Sequence, residues 1–132
     1  MELVSQKLCI KSDLGICNRM FGGIMMSFVD ESLALFVRQK IHSINIVTLM
    51  FDKMQFLAPV FENEAIRVYA DVKEYGNTSI TVEVEVRKYD VFNAIEQLVL
   101  HTTAVFVNLS SDGKPYMLNT KLIPDYDAKK RK

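Results

Sequence analysis

The spacing of hydrophobic and polar positions changes once along the chain and divides it into a helical part and a stranded part. Residues 22–40 are apolar on most sides after a glycine pair, which predicts one buried helix. From residue 44 onwards apolar residues recur at every second position. The pattern is clearest in 78–88, where Ile and Val alternate with Thr, Glu and Arg. Strands are predicted at residues 3–10, 44–57, 65–74, 78–88 and 95–109.

This order of elements limits the architecture. Short connections between successive strands indicate antiparallel pairing. One apolar helix and one antiparallel sheet can bury each other only if the sheet curves around the helix. We therefore predict an α+β fold in which an antiparallel sheet of five to six strands wraps around one long central helix. It forms a single domain over residues 1–115, followed by a loosely ordered C-terminal tail over 116–132. The open edge of such a sheet predicts pairing with a second copy.

Composition excludes several classes of protein. The 132 residues suit one domain, and sixteen basic against sixteen acidic side chains give a net charge of +0, which argues against a nucleic-acid partner. The basic run at residues 129–132 is interpreted as a solvated tail. With no apolar stretch of about 20 residues and no signal peptide, we expect no membrane partner and a cytoplasmic location. Cys9 and Cys17 are expected to be reduced, and neither a metal nor a cofactor is expected.

A narrow polar stripe on the predicted helix contains the first candidate for chemistry. It consists of Ser27, Asp30, Glu31 and Arg38. An acidic side chain in the middle of an apolar helix costs stability unless it is paired or functional. We interpret Asp30 as functional; the alternative is that Asp30 and Glu31 belong to a solvated strip.

Gly22 and Gly23 stand at the start of the same helix. They leave its first N–H groups sterically open, where the helix dipole adds partial positive charge, so the position can hold an anion or a developing oxyanion. The glycines could equally serve only a tight turn or close packing, and the spacing alone leaves both interpretations open.

Two further features are weaker candidates. The turn Gly76, Asn77, Thr78 and Ser79 offers backbone amides and polar side chains, although local sequence favours a plain hairpin turn. His42 and His101 have no neighbouring nucleophile pattern and are interpreted as structural.

Six short motifs occur in the same order as in a known family. They are Asn18–Gly23, Met26 with Val29–Glu31, Val47-Thr48, Phe56-Leu57 with Pro59-Val60, Gly76–Ile80 and Asp112–Pro115. Together they resemble the hotdog-fold acyl-CoA thioesterases, in particular the short bacterial broad-specificity acyl-CoA hydrolases, which are related to the cytosolic acyl-CoA hydrolases of animals. The similarity runs from about Asp13 to Pro115.

The resemblance implies a mechanism and an assembly. The N–H of Gly22 or Gly23 would polarise the thioester carbonyl of acyl-CoA, and Asp30 would act as general base or nucleophile. The turn at residues 76–79 would lie along the pantetheine arm. Members of the family form their active sites between subunits, commonly in hexamers built as trimers of dimers, so a homo-oligomer is expected.

One departure from the family pattern concerns the loop before the helix. The family's asparagine position holds Gly15, and its following glycine position holds Asn18. Either hydrolysis is weaker, or the loop is shifted and Asn18 takes over the role of the missing asparagine. The departure also leaves open a non-catalytic module that binds acyl-CoA on the same fold. A hotdog dehydratase is a third alternative, but its histidine-plus-acid site has no match here.

Overall fold

The structure is a computed structural model that describes residues 1–132. Its main elements are β1 (Glu2–Leu8), α1 (Gly22–Ile41), β2 (Ile46–Phe56), β3 (Ala65–Tyr75), β4 (Ser79–Asp90), β5 (Ile95–Asn108) and the one-turn helix α2 (Tyr126–Lys129). Short 3₁₀ turns lie at Lys11–Asp13, Ile16–Asn18 and Thr120–Leu122. Each strand and the long helix predicted from the sequence is present, with ends that agree within two residues.

The strands form one five-stranded antiparallel sheet in the order β1-β3-β4-β5-β2. The expected α+β arrangement is therefore confirmed. Because α1 connects β1 to β2, the chain crosses from one edge of the sheet to the other before it fills the middle. Both edge strands are left with one unpaired side.

The core lies between α1 and the concave face of the sheet. Alternation along the central strands points one set of side chains at the helix, as predicted for β3 and β4. The buried side chains include Val29, Leu33 and Val37 on the helix, and Ile66, Val68, Ala70, Ile80, Val82, Val84, Ala104 and Phe106 on the sheet.

The helix is covered on one side only. Leu35 keeps 47% of its surface exposed, and Met26 and Glu31 also face outwards. The prediction that α1 is buried nearly all round is therefore wrong for a single chain, because one sheet of five strands reaches only one side of the helix. No helix in the structure combines the length and apolar character needed to cross a membrane.

The C-terminal segment, residues 116–132, packs against the sheet. Leu118 and Ile123 are buried in the core cluster, and the Tyr75 hydroxyl donates to Asp125 Oδ1 at 2.8 Å. Burial, and then this hydrogen bond, raise the pKa of Tyr75. Tyr126 stacks on Tyr75 with ring centroids 5.7 Å apart. The expectation of a loosely ordered tail is therefore wrong. The apolar residues of this segment are too sparse to form a periodic pattern in the sequence, but Leu118 and Ile123 pack into the open end of the core.

Leu118→Ala should lower the free energy of unfolding by about 2–4 kcal/mol, since it removes a buried side chain and leaves a cavity. Leu122→Ala is the matched control, because Leu122 is exposed four residues further along, and it should change stability by less than about 0.5 kcal/mol. Urea denaturation measures both. Equal stabilities for the two variants would show that the segment does not contribute to the core.

Candidate active site

The ring of Phe21 determines the shape of the start of α1. A Cβ atom on Gly15 would lie 3.0 Å from Phe21 Cδ1, and one on Gly23 would lie 2.7 Å from Phe21 Cε2. Both glycines therefore leave space for the ring, which lies between them. Gly22 is different, because a Cβ there would meet only the Phe56 ring at an ordinary 3.6 Å.

The first two amides of α1 are free. The Phe21 carbonyl accepts from the N–H groups of Ile24 at 3.0 Å and Met25 at 3.1 Å, whereas those of Gly22 and Gly23 have no acceptor within the chain. Unpaired donors at the positive end of a helix dipole are suited to an oxygen that gains negative charge. Packing and oxyanion binding are thus compatible at this glycine pair.

Asp13 anchors the loop that leads into the helix. Its carboxylate is buried, lies 2.7 Å from Lys7 Nζ and accepts the Ile10 N–H at 3.0 Å, while its carbonyl accepts the Phe21 N–H at 2.8 Å. The hydrogen bond from Lys7, followed by that from Ile10, lowers the pKa of Asp13. A carboxyl with a lowered pKa stabilises the fold above its unfolded pKa, and this contribution is lost as the pH falls through the folded value. Sequence reasoning did not assign Asp13 this role, because its partners are set by the loop.

Asp30 is half-buried and turned towards β2. Thr48 Oγ1 donates a hydrogen bond to Asp30 Oδ1 at 2.5 Å. The next residue, Glu31, is exposed, so the polar stripe predicted on the helix divides between the sheet side and the solvent side. Thr48 was not predicted as a site residue; its only signal was its place in the motif Val47-Thr48.

The turn at Gly76–Ser79 is a hairpin turn held by the C-terminal segment. Arg131 Nη2 donates to Ser79 Oγ at 3.1 Å, and a Cβ on Gly76 would lie 2.6 Å from the same Arg131 nitrogen. The Leu118 N–H donates to the Asn77 carbonyl at 2.9 Å, and the Asn108 N–H donates to that of Thr78 at 2.8 Å. The local structure is therefore the plain turn that the sequence favoured, with a basic side chain placed beside it.

One chain does not bring all the predicted site residues together. Gly22 and Asp30 are eight positions apart on one helix, which is about 12 Å along its axis. Ser79 pairs with Val107, whereas Phe56, which lies beside Gly22, pairs with Leu100. Val107 and Leu100 are seven residues apart along β5, which corresponds to about 24 Å. The turn and the helix start thus lie at opposite ends of the sheet.

Asn18 and the two histidines occupy surface positions. Asn18 is exposed with a φ of 54°, in the left-handed region that asparagine tolerates. His42 is the residue directly after α1, at its C-terminal cap, and has a φ of 55°. His101 Nε2 lies 3.4 Å from Glu83 Oε2 on the outer face of the sheet. Neither histidine faces the core side of the sheet, where Thr48 holds Asp30.

Comparison with known proteins identifies the family. The sequence profile of the Thioesterase superfamily matches residues 18–91, which is more than half of the chain and includes α1 and β2. The chain belongs to the thioesterase superfamily. A relative in this superfamily, the acyl-CoA thioester hydrolase YciA of Salmonella typhimurium, is 32% identical over 117 residues, which cover 86% of this chain and 87% of that protein.

Solved structures of thioesterases have the same fold. A hexameric hotdog fold thioesterase of Campylobacter jejuni superposes with a TM-score of 0.79 at 30% identity, over 92% of this chain and 93% of that one. An acyl-CoA hydrolase of Staphylococcus aureus in complex with butyryl coenzyme A and coenzyme A gives 0.80 at 29% identity, over 86% and 69%. The hotdog fold expected from the sequence motifs is confirmed.

Asn18→Gly should leave kcat/KM for an acyl-CoA within about threefold of the unsubstituted protein, because glycine adopts a left-handed φ without strain. Asn18→Ala is a poorer test, since a Cβ at positive φ adds strain. A loss of about tenfold or more in Asn18→Gly, with unchanged stability, would show that the asparagine side chain takes part in the reaction.

Proposed function

We propose that this protein hydrolyses acyl-CoA to a carboxylic acid and coenzyme A. The observation that carries the proposal is a half-buried carboxylate, Asp30, held by Thr48 on a helix whose first two N–H groups are free. The relatives named acyl-CoA thioester hydrolase and the structure with bound butyryl coenzyme A support this substrate class.

The helix start activates the thioester. The carbonyl oxygen accepts a hydrogen bond from the N–H of Gly22 or Gly23, and the helix dipole favours the negative charge that develops there during attack. The donors are in place before the substrate binds, because the Phe21 carbonyl and Asp13 fix the first turn. Little reorganisation is then needed in the transition state.

Asp30 supplies the carboxylate for the attack. As a general base it takes a proton from water, whose oxygen forms the new C–O bond; as a nucleophile it forms an anhydride that water then hydrolyses. In both routes the C–S bond breaks and the coenzyme A thiolate leaves and is protonated. Thr48 occupies one lone pair of Oδ1, which orients the carboxylate and leaves Oδ2 for the reaction.

The site requires two chains. A thioester carbonyl and its attacking oxygen are about 3 Å apart, whereas Gly22 and Asp30 of one helix are separated by about 12 Å. We propose that Asp30 of one chain works with the helix start of another in a homo-oligomer. Leu49 on the unpaired edge strand β2 is 62% exposed, and Val47 and Met50 are also exposed, which makes β2 suited to pair with a second copy.

The remaining assignments follow from this arrangement. We propose that the turn at residues 76–79, which lies far from the helix start of its own chain, contacts the pantetheine arm of the substrate. A trimer of dimers is the proposed assembly, as related thioesterases are hexameric. The cytoplasmic location stays a prediction.

Asp30→Asn should lower kcat by about 10² or more with an unchanged fold, because the amide is neither a base nor a nucleophile. Glu31→Gln is the matched control: it makes the same chemical change one residue further on, at an exposed position. Thiol release from short and long acyl-CoAs measures the rates. Retention of more than about half the activity in Asp30→Asn would contradict the role of this carboxylate.

Gly22→Pro should cost about 10²-fold in kcat, because it deletes one N–H donor. Proline is tolerated at the first position of a helix, and the preceding Phe21 already has the extended φ of −65° and ψ of 131° that proline requires. Gly22→Ala keeps the N–H and should keep the activity. An active Gly22→Pro variant would exclude this amide as the essential donor.

Co-expression of the Asp30→Asn and Gly22→Pro variants tests whether the site is shared. Each variant alone has only defective sites. If Asp30 and Gly22 come from different chains, random assembly restores one site in four, so about a quarter of the activity should return. If both come from the same chain, the mixture stays as inactive as its parents.

A further inference from the structure

A small pocket opens beside the start of α1. It has a volume of about 370 Å³, at the lower end of the range for small-molecule sites. Gly22 contributes to its wall, and the ring of Phe56 lies next to Gly22. The other lining residues are Arg19, Met20, Met25 and Leu57–Val60. A residue with one of the two free amides of the helix therefore borders a pocket that has no role so far.

Arg19 is the only ionisable side chain that lines this pocket, since all the others are apolar or glycine. Its backbone forms an isolated antiparallel bridge with Phe61, and the Met20 N–H donates to the Val60 carbonyl at 2.7 Å. The guanidinium lies over the Phe61 ring, 5.9 Å from its centroid. A cation held against an aromatic face loses less conformational freedom when it binds an anion.

The charge of Arg19 is not neutralised within the chain. Lys88, which approaches the same Phe61 ring, lies 3.3 Å from Glu64 Oε2. Arg19 forms no salt bridge. A guanidinium presents a planar fork of N–H donors that matches a carboxylate. A single positive charge in an apolar pocket beside free helix amides is suited to an anionic group of the substrate.

The position of Arg19 limits which anionic group it can reach. Arg19 precedes Gly22 by three residues, so their Cα atoms are at most about 11 Å apart. When the thioester carbonyl accepts from the Gly22 N–H, the far end of a short acyl group is only a few bonds away. The phosphates of coenzyme A are separated from the thioester by the whole pantetheine arm. The acyl group is therefore the part of the substrate that suits this pocket.

We propose that the pocket receives a short acyl group that ends in a carboxylate, and that Arg19 binds this carboxylate. The inference rests on the proposed function and adds a substrate class to it, the coenzyme A thioesters of short dicarboxylic acids. The apolar lining packs against the methylene groups between the thioester and the carboxylate. A plain acyl group of the same length fills the same space but lacks the ion pair with Arg19.

The test compares substrates that differ only at the far end of the acyl group. Two pairs are suitable: glutaryl-CoA with pentanoyl-CoA, and adipyl-CoA with hexanoyl-CoA. After subtraction of the spontaneous rate, kcat/KM in at least one pair should be about tenfold or more higher for the member with the carboxylate, as expected for a charge-assisted hydrogen bond. Arg19→Gln should abolish this preference and leave kcat/KM for the plain acyl-CoAs within about threefold.

Arg38→Gln is the matched control. Arg38 is also exposed and without a salt bridge, but it lies on α1 outside this pocket, so the variant should keep the preference. The proposal is overturned if the plain member of both pairs is hydrolysed as fast as its partner, or if Arg19→Gln slows both members equally. An equal loss that disappears with N-acetylcysteamine thioesters, which lack the phosphates, would assign Arg19 to coenzyme A instead.

Binding of thioether analogues separates this inference from the proposed function. S-carboxybutyl-CoA and S-pentyl-CoA, and their homologues with one more methylene, cannot be hydrolysed. Calorimetry should give a Kd about tenfold lower for the carboxylate-bearing analogue of at least one pair, and Arg19→Gln should remove the difference. Equal affinities in both pairs would overturn the inference. Absence of thioester hydrolysis would contradict the proposed function without changing this binding result.

Discussion

A sheet of five strands is too narrow to enclose a helix of twenty residues, and this limit affects every other feature of the protein. One side of α1 packs into the sheet and supplies the core. The other side of α1 stays exposed, with Met26 and Leu35 among polar side chains, and the edge strand β2 exposes Val47, Leu49 and Met50. Exposed apolar residues grouped on an unpaired edge strand are typical of a protein–protein contact site. In the function that we propose, assembly and catalysis are linked, because the same helix carries Asp30 and the free amides.

The start of the helix combines close packing with the oxyanion binding that we propose for it. The Phe21 ring lies close to the backbone here, so that a Cβ at Gly23 would meet it at 2.7 Å and one at Gly15 would meet it at 3.0 Å. Oxyanion binding requires N–H groups without an acceptor. Gly23 is compatible with both the close ring and a free N–H group. The buried Asp13 accepts the N–H groups of Ile10 and Phe21 and so holds the loop that leads into the helix. An asparagine at position 15 would require the Phe21 ring to shift, because a Cβ there would lie 3.0 Å from Phe21 Cδ1.

The C-terminal segment extends the domain beyond the sheet. It fills the end of the core with Leu118 and Ile123, and it places Arg131 against the turn at residues 76–79. The turn that we propose to contact the substrate is thereby held by a hydrogen bond from Arg131 to Ser79. Its shape depends on a segment of the chain that carries no recognisable period, so loss of that segment would affect both stability and the turn.

The sequence alone was sufficient for every element that has a strong period. The alternation in β3 and β4, the apolar helix and the glycine pair each follow from local side-chain chemistry, and Asp30 is conspicuous because a carboxylate is rare among such residues. The partners of Asp30 and Asp13, the packing of residues 116–132 and the distance between the turn and the helix start were decided only by tertiary structure. Contacts such as Thr48 with Asp30 join residues eighteen positions apart on different elements, and no local pattern encodes which side chains meet when the sheet curves around the helix.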